Sequence, residues 1–201
     1  MTMKRLLSSA ALLAAVTTTP ALADAELYRL DASHSQIVFS WNHLGLSTTY
    51  GMFSGFEGEI MFDADDPANS SVSVSMPTTS MFTGWEARTA HMLGDDFFAA
   101  SEDDMITFVS TGIEVTGDDT ALITGDLTIG DTTQEVVLDA TLNSAGSSPL
   151  PQMNGALVAG FDATATLSRT AFGLSAFTPF VGDEVSVVIS VEAIRAADME
   201  S

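Results

Sequence analysis

Apolar and polar residues alternate along most of this chain with a period of two. That spacing puts one face of a β-strand in a core and the other in water. Residues 71–76 show it without exception, with Val72, Val74 and Met76 set against Ser71, Ser73 and Ser75. Residues 35–43 set Ile37, Phe39 and Trp41 against Gln36, Ser40 and Asn42, and Val38 breaks the polar side once. Residues 51–62 put Met52, Phe56, Ile60 and Phe62 on one side and Glu57 and Glu59 on the other. Gly55 and Gly58 inside that run predict a bend or bulge. Five more strands are predicted at 105–115, 121–129, 135–142, 157–168 and 184–194, which makes eight. Residues 63–70, Gly117-Asp118-Asp119 and Gly130-Asp131 supply turn chemistry between them, and residues 143–155 read as a loop.

One segment departs from this period. Trp85, Arg88, Met92 and Leu93 recur at three- and four-residue offsets between Gly84 and Gly94. The spacing predicts a short helix over 85–93. The short connections make the strands mostly antiparallel, so the fold is all-β with a short helical insert. Eight such strands form a sandwich or a barrel, and closure into a barrel removes the edge strands that this chain does little to protect.

The first 23 residues follow other rules. Lys4 and Arg5 precede an apolar run over 6–16, a Thr-Thr-Thr-Pro break and Ala21-Leu22-Ala23. This is the plan of a cleaved export signal, too short to span a bilayer. The expectation is cleavage after Ala23 and a single domain over 24–201, periplasmic or secreted, with no stable membrane anchor. Without Lys4 and Arg5 the formal charge moves from −21 to −23. The remaining cations are Arg29, Arg88, Arg169 and Arg195, with no lysine. So acidic a surface argues against nucleic acid as a partner. It also suits a salty habitat, where self-repulsion is screened.

Catalytic and metal signatures are weak. With no cysteine, thiolate chemistry and disulfides are excluded. No Gly-x-Ser-x-Gly elbow or phosphate-cradling glycine loop is present. His34 and His43 sit nine residues apart on one strand, too far to share an ion at about 3.3 Å per residue. The segment Asp63-Ala64-Asp65-Asp66-Pro67 lacks the glycine of a calcium loop. No cofactor is expected.

The apolar faces are rich in large, soft side chains. Phe39, Trp41, Met52, Phe56, Met76 and Phe108 lie on predicted strands, and Phe82, Trp85, Met92, Phe97 and Phe172 lie in the insert and loops. Such a set either fills a barrel as plain core or lines a hollow one. A hollow one would take a long hydrocarbon, because each buried CH₂ is worth about 0.8 kcal/mol. Four polar residues are candidates for a head group at the rim. Arg88 and His91 share a helix face, Arg169 precedes Phe172, and His43 follows Trp41. Their structural alternatives are a salt bridge from Arg88 to Glu86 or Asp95 and an Arg169–Asp pair.

Several of these residues stand in a familiar order. His34-Ser35-x-x-x-Phe39, His43-Leu44-Gly45-Leu46-Ser47 and Gly51-x-Phe53-x-x-Phe56-x-Gly58 open the pattern. Arg88-x-x-His91-Met92-Leu93, Asp96-Phe97-Phe98, Gly125-x-Leu127-Thr128-Ile129-Gly130 and Arg169-x-x-Phe172-Gly173 continue it. Together they resemble the YceI-like family of exported polyisoprenoid-binding proteins over residues 26–195. The resemblance implies an eight-stranded antiparallel lipocalin-like barrel with an elongated apolar pocket. It implies a lipid-like partner: an isoprenoid, an isoprenoid quinone or a fatty amphiphile. Thr89 stands where the family usually carries Asp, which removes an expected Arg–Asp brace from the insert. The competing readings are a ligand-free interaction or stress module and a lipid-acting enzyme. Transient membrane contact is compatible with the absence of a stable anchor, and a long ligand is compatible with a homodimer that shares its mouth.

Overall fold

A computed structural model describes residues 25–199; the export signal expected at 1–23 lies outside them. Ten strands form one antiparallel sheet: β1 (Glu26–Leu30), β2 (Gln36–His43), β3 (Ser47–Phe53), β4 (Glu57–Phe62), β5 (Ser71–Pro77), β6 (Met105–Val115), β7 (Thr120–Ile129), β8 (Thr132–Ser147), β9 (Leu157–Ser168) and β10 (Val181–Arg195). The neighbours run β1-β4-β5-β6-β7-β8-β9-β10, and β1 pairs back onto β10. The sheet is thus an eight-stranded closed barrel. The other two strands, β2 and β3, extend it from the same edge of β10.

That edge is shared in an unusual way. β1 pairs with β10 only from Tyr28↔Arg195 to Leu30↔Ala193, and β2 takes over from Gln36↔Ser190 to His43↔Val181. Across the gap the Asp31 amide donates to the Glu192 carbonyl at 2.8 Å, and the Glu192 amide donates to Ser35 Oγ at 3.2 Å. A buried serine hydroxyl stands in for a missing ladder rung.

The eight predicted strands are all present, with corrections at their limits. β1 was not anticipated, because its five residues are too few to show a period. The run at 51–62 is two strands, β3 and β4, divided around Gly55, whose φ of +63° an L side chain rarely adopts. The expected loop at 143–155 is partly strand, since β8 continues through Ser147 beyond a register shift at residues 142–144. The insert carries helix α1 (Glu86–Leu93), with Trp85 as its N-cap residue. It sits at the end of the barrel where β5, β7 and β9 finish; the opposite end is formed by residues 63–70, 116–119 and 148–156.

The core falls into two clusters. The larger, near the insert, gathers Phe39, Trp41, Phe53, Phe56, Met76 and Phe108. Phe39 stacks between Trp41 and Phe53, at ring-centroid distances of 5.8 and 5.1 Å. The smaller cluster, centred on Tyr28, Ile60 and Phe62, closes the wall near the opposite end. Glycine makes room for the large rings. On β3 a Cβ at Gly51 would stand 2.4 Å from Phe39 Cζ, so the Phe39 ring lies flat against bare backbone.

Candidate binding cavity

Strand alternation decides what the barrel encloses. Ile37, Phe39 and Trp41 of β2, Val72, Val74 and Met76 of β5, and Val185, Val187 and Ile189 of β10 all point inward. They surround a cavity of about 300 Å³, the lower end of the usual range for small-molecule sites. Its wall is almost entirely apolar. Met92, Phe97 and Phe98 bound it at the insert end, and Pro67, Ser70 and residues 117–120 bound it at the other. The space therefore runs along the barrel rather than sitting at one mouth.

Nine of the fifteen residues proposed from sequence line this cavity: Phe39, Trp41, Phe56, Met76, Met92, Phe97, Phe108, Arg169 and Phe172. Phe56 is the most deeply buried large side chain, at 1 % exposure. The other six are absent from the wall, for identifiable reasons. Met52 faces outward because the bend at Gly55 shifts the inward set by one residue. Phe53, not Met52, points inward on β3, while Phe56 and Ile60 keep the even-numbered pattern. Met52 instead forms an antiparallel bridge with Phe82, which is itself exposed. Trp85 is 64 % exposed, against 6 % for Trp41. His43 is exposed at the end of β2.

The polar candidates serve the frame. Arg88 Nη2 donates to the Thr83 carbonyl at 2.5 Å, in place of the expected pairing with Glu86 or Asp95. Thr89 Oγ1 accepts from the Thr83 amide at 3.1 Å and lies 2.9 Å from the Thr83 hydroxyl. The insert is thus braced on Thr83 by residues 88 and 89, without an Arg–Asp pair. Arg88 Nε is buried with no hydrogen-bond partner. His91 lies 3.0 Å from Asp96 and packs edge-on against Phe97 and Phe177.

Arg169 alone among the polar candidates reaches the cavity, and it is only 7 % exposed. Its Nε donates to the Gly182 carbonyl at 2.8 Å and Nη1 to the Leu174 carbonyl. Nη2 donates to Val181 O and Thr178 Oγ1, both at 2.8 Å. The guanidinium thereby ties residues 169–182 into a fixed loop. Burial lowers its pKa and the nearby Asp183 carboxylate opposes that shift. The Asp183 carboxyl is itself held below the usual carboxylate range by the Thr170 amide and the Ser168 hydroxyl. The expected Arg169–Asp pair is present as a field effect, while the hydrogen bonds go to three backbone carbonyls and the Thr178 hydroxyl.

Sequence reasoning missed Phe53, Phe98 and most of the aliphatic wall contributed by β6 to β10. Those residues alternate as cleanly as the aromatic ones.

Comparison with known proteins agrees with this architecture. A YceI-like domain model matches residues 28–193. A UPF0312 protein of Ectopseudomonas mendocina (strain ymp) is 36 % identical over 170 residues, covering 84 % of this chain and 87 % of that one. The solved YceI protein of Campylobacter jejuni superposes with a TM-score of 0.68 at 27 % identity, over 77 % of this chain and 89 % of the other. A domain from Saccharophagus degradans, described as polyisoprenoid binding and implicated in plant cell wall breakdown, shares the fold with a TM-score of 0.59 at 14 % identity. It covers 84 % of this chain and 98 % of that domain. The chain belongs to the YceI-like domain family.

Proposed function

We propose that the protein is an exported binding protein that holds the apolar chain of an isoprenoid, an isoprenoid quinone or a fatty amphiphile inside its barrel, for transport, storage or sequestration. The cavity carries this reading: about 300 Å³ of unfilled space with an apolar wall running the length of the barrel. Water gains little there, because it needs two to four polar partners. A hydrocarbon chain gains by burial. Ten to fifteen buried carbons supply roughly 8–12 kcal/mol gross, and association costs return several of these. The remainder supports micromolar or tighter binding. The polyisoprenoid-binding domain of Saccharophagus degradans, with the same fold, favours a prenyl chain as the guest.

Trp41 lines the cavity and Trp85 does not, and the chain has no other tryptophan. A Trp85→Phe variant therefore reports the interior alone. Added prenyl lipid should quench or shift Trp41 fluorescence, and an organic extract of the purified protein should contain a long-chain lipid by mass spectrometry. A bare chain in native mass spectrometry, together with unchanged Trp41 emission, would reject the reading. Export is tested separately, by the N-terminus of the protein recovered from the periplasm or medium, expected at Asp24.

A further inference from the structure

We propose that this barrel selects lipids whose head group carries no negative charge, such as prenyl alcohols and prenyl quinones, and disfavours prenyl phosphates and fatty acids of equal chain length. The inference rests on the lipid-binding reading and narrows its ligand class.

An apolar wall is indifferent to the head group. Selection falls to the charged residues at the two ends of the cavity. A phosphate or carboxylate bound tightly in such a site takes two or more charge-assisted hydrogen bonds, most often from arginine. Among the described residues Arg169 is the only cation on the wall. Four of its five N–H donors already serve Gly182, Leu174, Val181 and Thr178, so giving a ligand the two or more bonds an anion takes would mean releasing part of its own loop. The other arginines are absent from the cavity wall. Arg29 pairs with Glu59 at 3.3 Å, and Arg195 is held by Glu26 and Asp198. Arg88, off the wall, turns Nη2 to the Thr83 carbonyl and keeps Nε buried without a hydrogen-bond partner.

The carboxylates are placed the other way. Asp118 and Asp119 border the cavity at the end opposite the insert. At the insert end, Asp95 and Asp96 follow α1, and Asp183 and Glu184 lie near the start of β10. An anionic head is repelled by these carboxylates, an effect that salt screens. A hydroxyl or carbonyl head meets no such penalty, and Ser70, Ser71 and Thr120 on the wall offer hydrogen bonds.

The test compares farnesol, farnesyl diphosphate and palmitate on delipidated Trp85→Phe protein, by Trp41 fluorescence, at low salt and at 1 M NaCl. Farnesol is expected to bind at least tenfold more tightly than either anion at low salt. Salt should narrow that gap by improving the anions. Equal or tighter binding of the diphosphate overturns the inference while leaving the lipid-binding reading intact. Loss of that tight binding in Arg88→Ala would then identify Arg88 as an anionic anchor. No binding by any of the three overturns both.

Discussion

The Cζ atom of Phe108 lies 2.4 Å from the point where a Cβ on Gly125 would stand. β6 and β7 are paired here, and the ring rests on the glycine backbone of the neighbouring strand. The Val109 carbonyl, 2.6 Å from the same point, leaves no sideways escape. Gly125→Ala should therefore cost about 1–3 kcal/mol, the usual range for overpacking, and push the Phe108 ring into the cavity. Urea denaturation checks the first effect. Weaker quenching of Trp41 by farnesol checks the second.

Ala163 presents the opposite case. It is buried on β9 and lines the cavity, so a larger side chain there projects into open space. Ala163→Phe should fold as a barrel, with an unchanged far-ultraviolet circular dichroism spectrum, and lose at least tenfold in prenyl-lipid affinity. Retention of full affinity would show that the guest lies elsewhere.

Arg169 holds four acceptors with one planar group, which a lysine cannot reproduce. Arg169→Lys leaves half-buried carbonyls among Leu174, Val181 and Gly182 without donors, at a cost of about 1–3 kcal/mol. Hydrogen exchange should show lost protection concentrated in residues 169–182. Uniform loss across the barrel would contradict a local clamp.

Asp31 and His34 form an exposed pair at 2.7 Å. Bonds from His34 and Ser33 lower the Asp31 pKa, and the Asp31 carboxylate raises that of His34. Asp31 thus lends stability above the ordinary carboxylate pKa of about 4, lost as pH falls through its lowered value. His34 lends stability below about pH 6.5, lost as pH rises through its raised value. The pair contributes most between those limits. NMR titration should place the His34 midpoint above the usual imidazole value, and Asp31→Asn should return it downward.

Salt should stabilise the protein. With 27 acidic and 6 basic residues, repulsion among carboxylates outweighs the few ion pairs that screening would weaken. Thermal midpoints should rise between low salt and 1 M NaCl. A flat or falling midpoint would show that the acidic surface carries no folding penalty.

Much of this architecture can be read along the chain, because a barrel wall is a period-two object. Val72, Val74 and Met76 point inward as their alternation requires, and Trp41 and Phe39 do the same. The failures cluster where the count of residues slips. At Gly55 the backbone turns through a conformation open to glycine, and the inward set changes from odd to even numbers. Met52 and Phe53 exchange sides as a result. A second slip between Ser110 and Gly112 moves β6 from Ile106 and Phe108 to Ile113 and Val115. The polar candidates fared differently. Charge and neighbourhood mark Arg88 and Arg169 as special, but their partners are mostly carbonyls brought close only by folding. No spacing in the sequence announces a carbonyl.

Phe97 and Phe177 meet at the insert end with their ring centres 5.8 Å apart, and His91 leans on both. One ring belongs to the insert and the other to the loop tied down by Arg169, and Phe97 also faces the interior. Traffic past this point means parting these packed rings, whereas the grip on a guest comes from the strands below. How long a guest stays and how strongly it is held are therefore set in different parts of the molecule, and substitutions at Phe177 can tune the first while leaving the second alone.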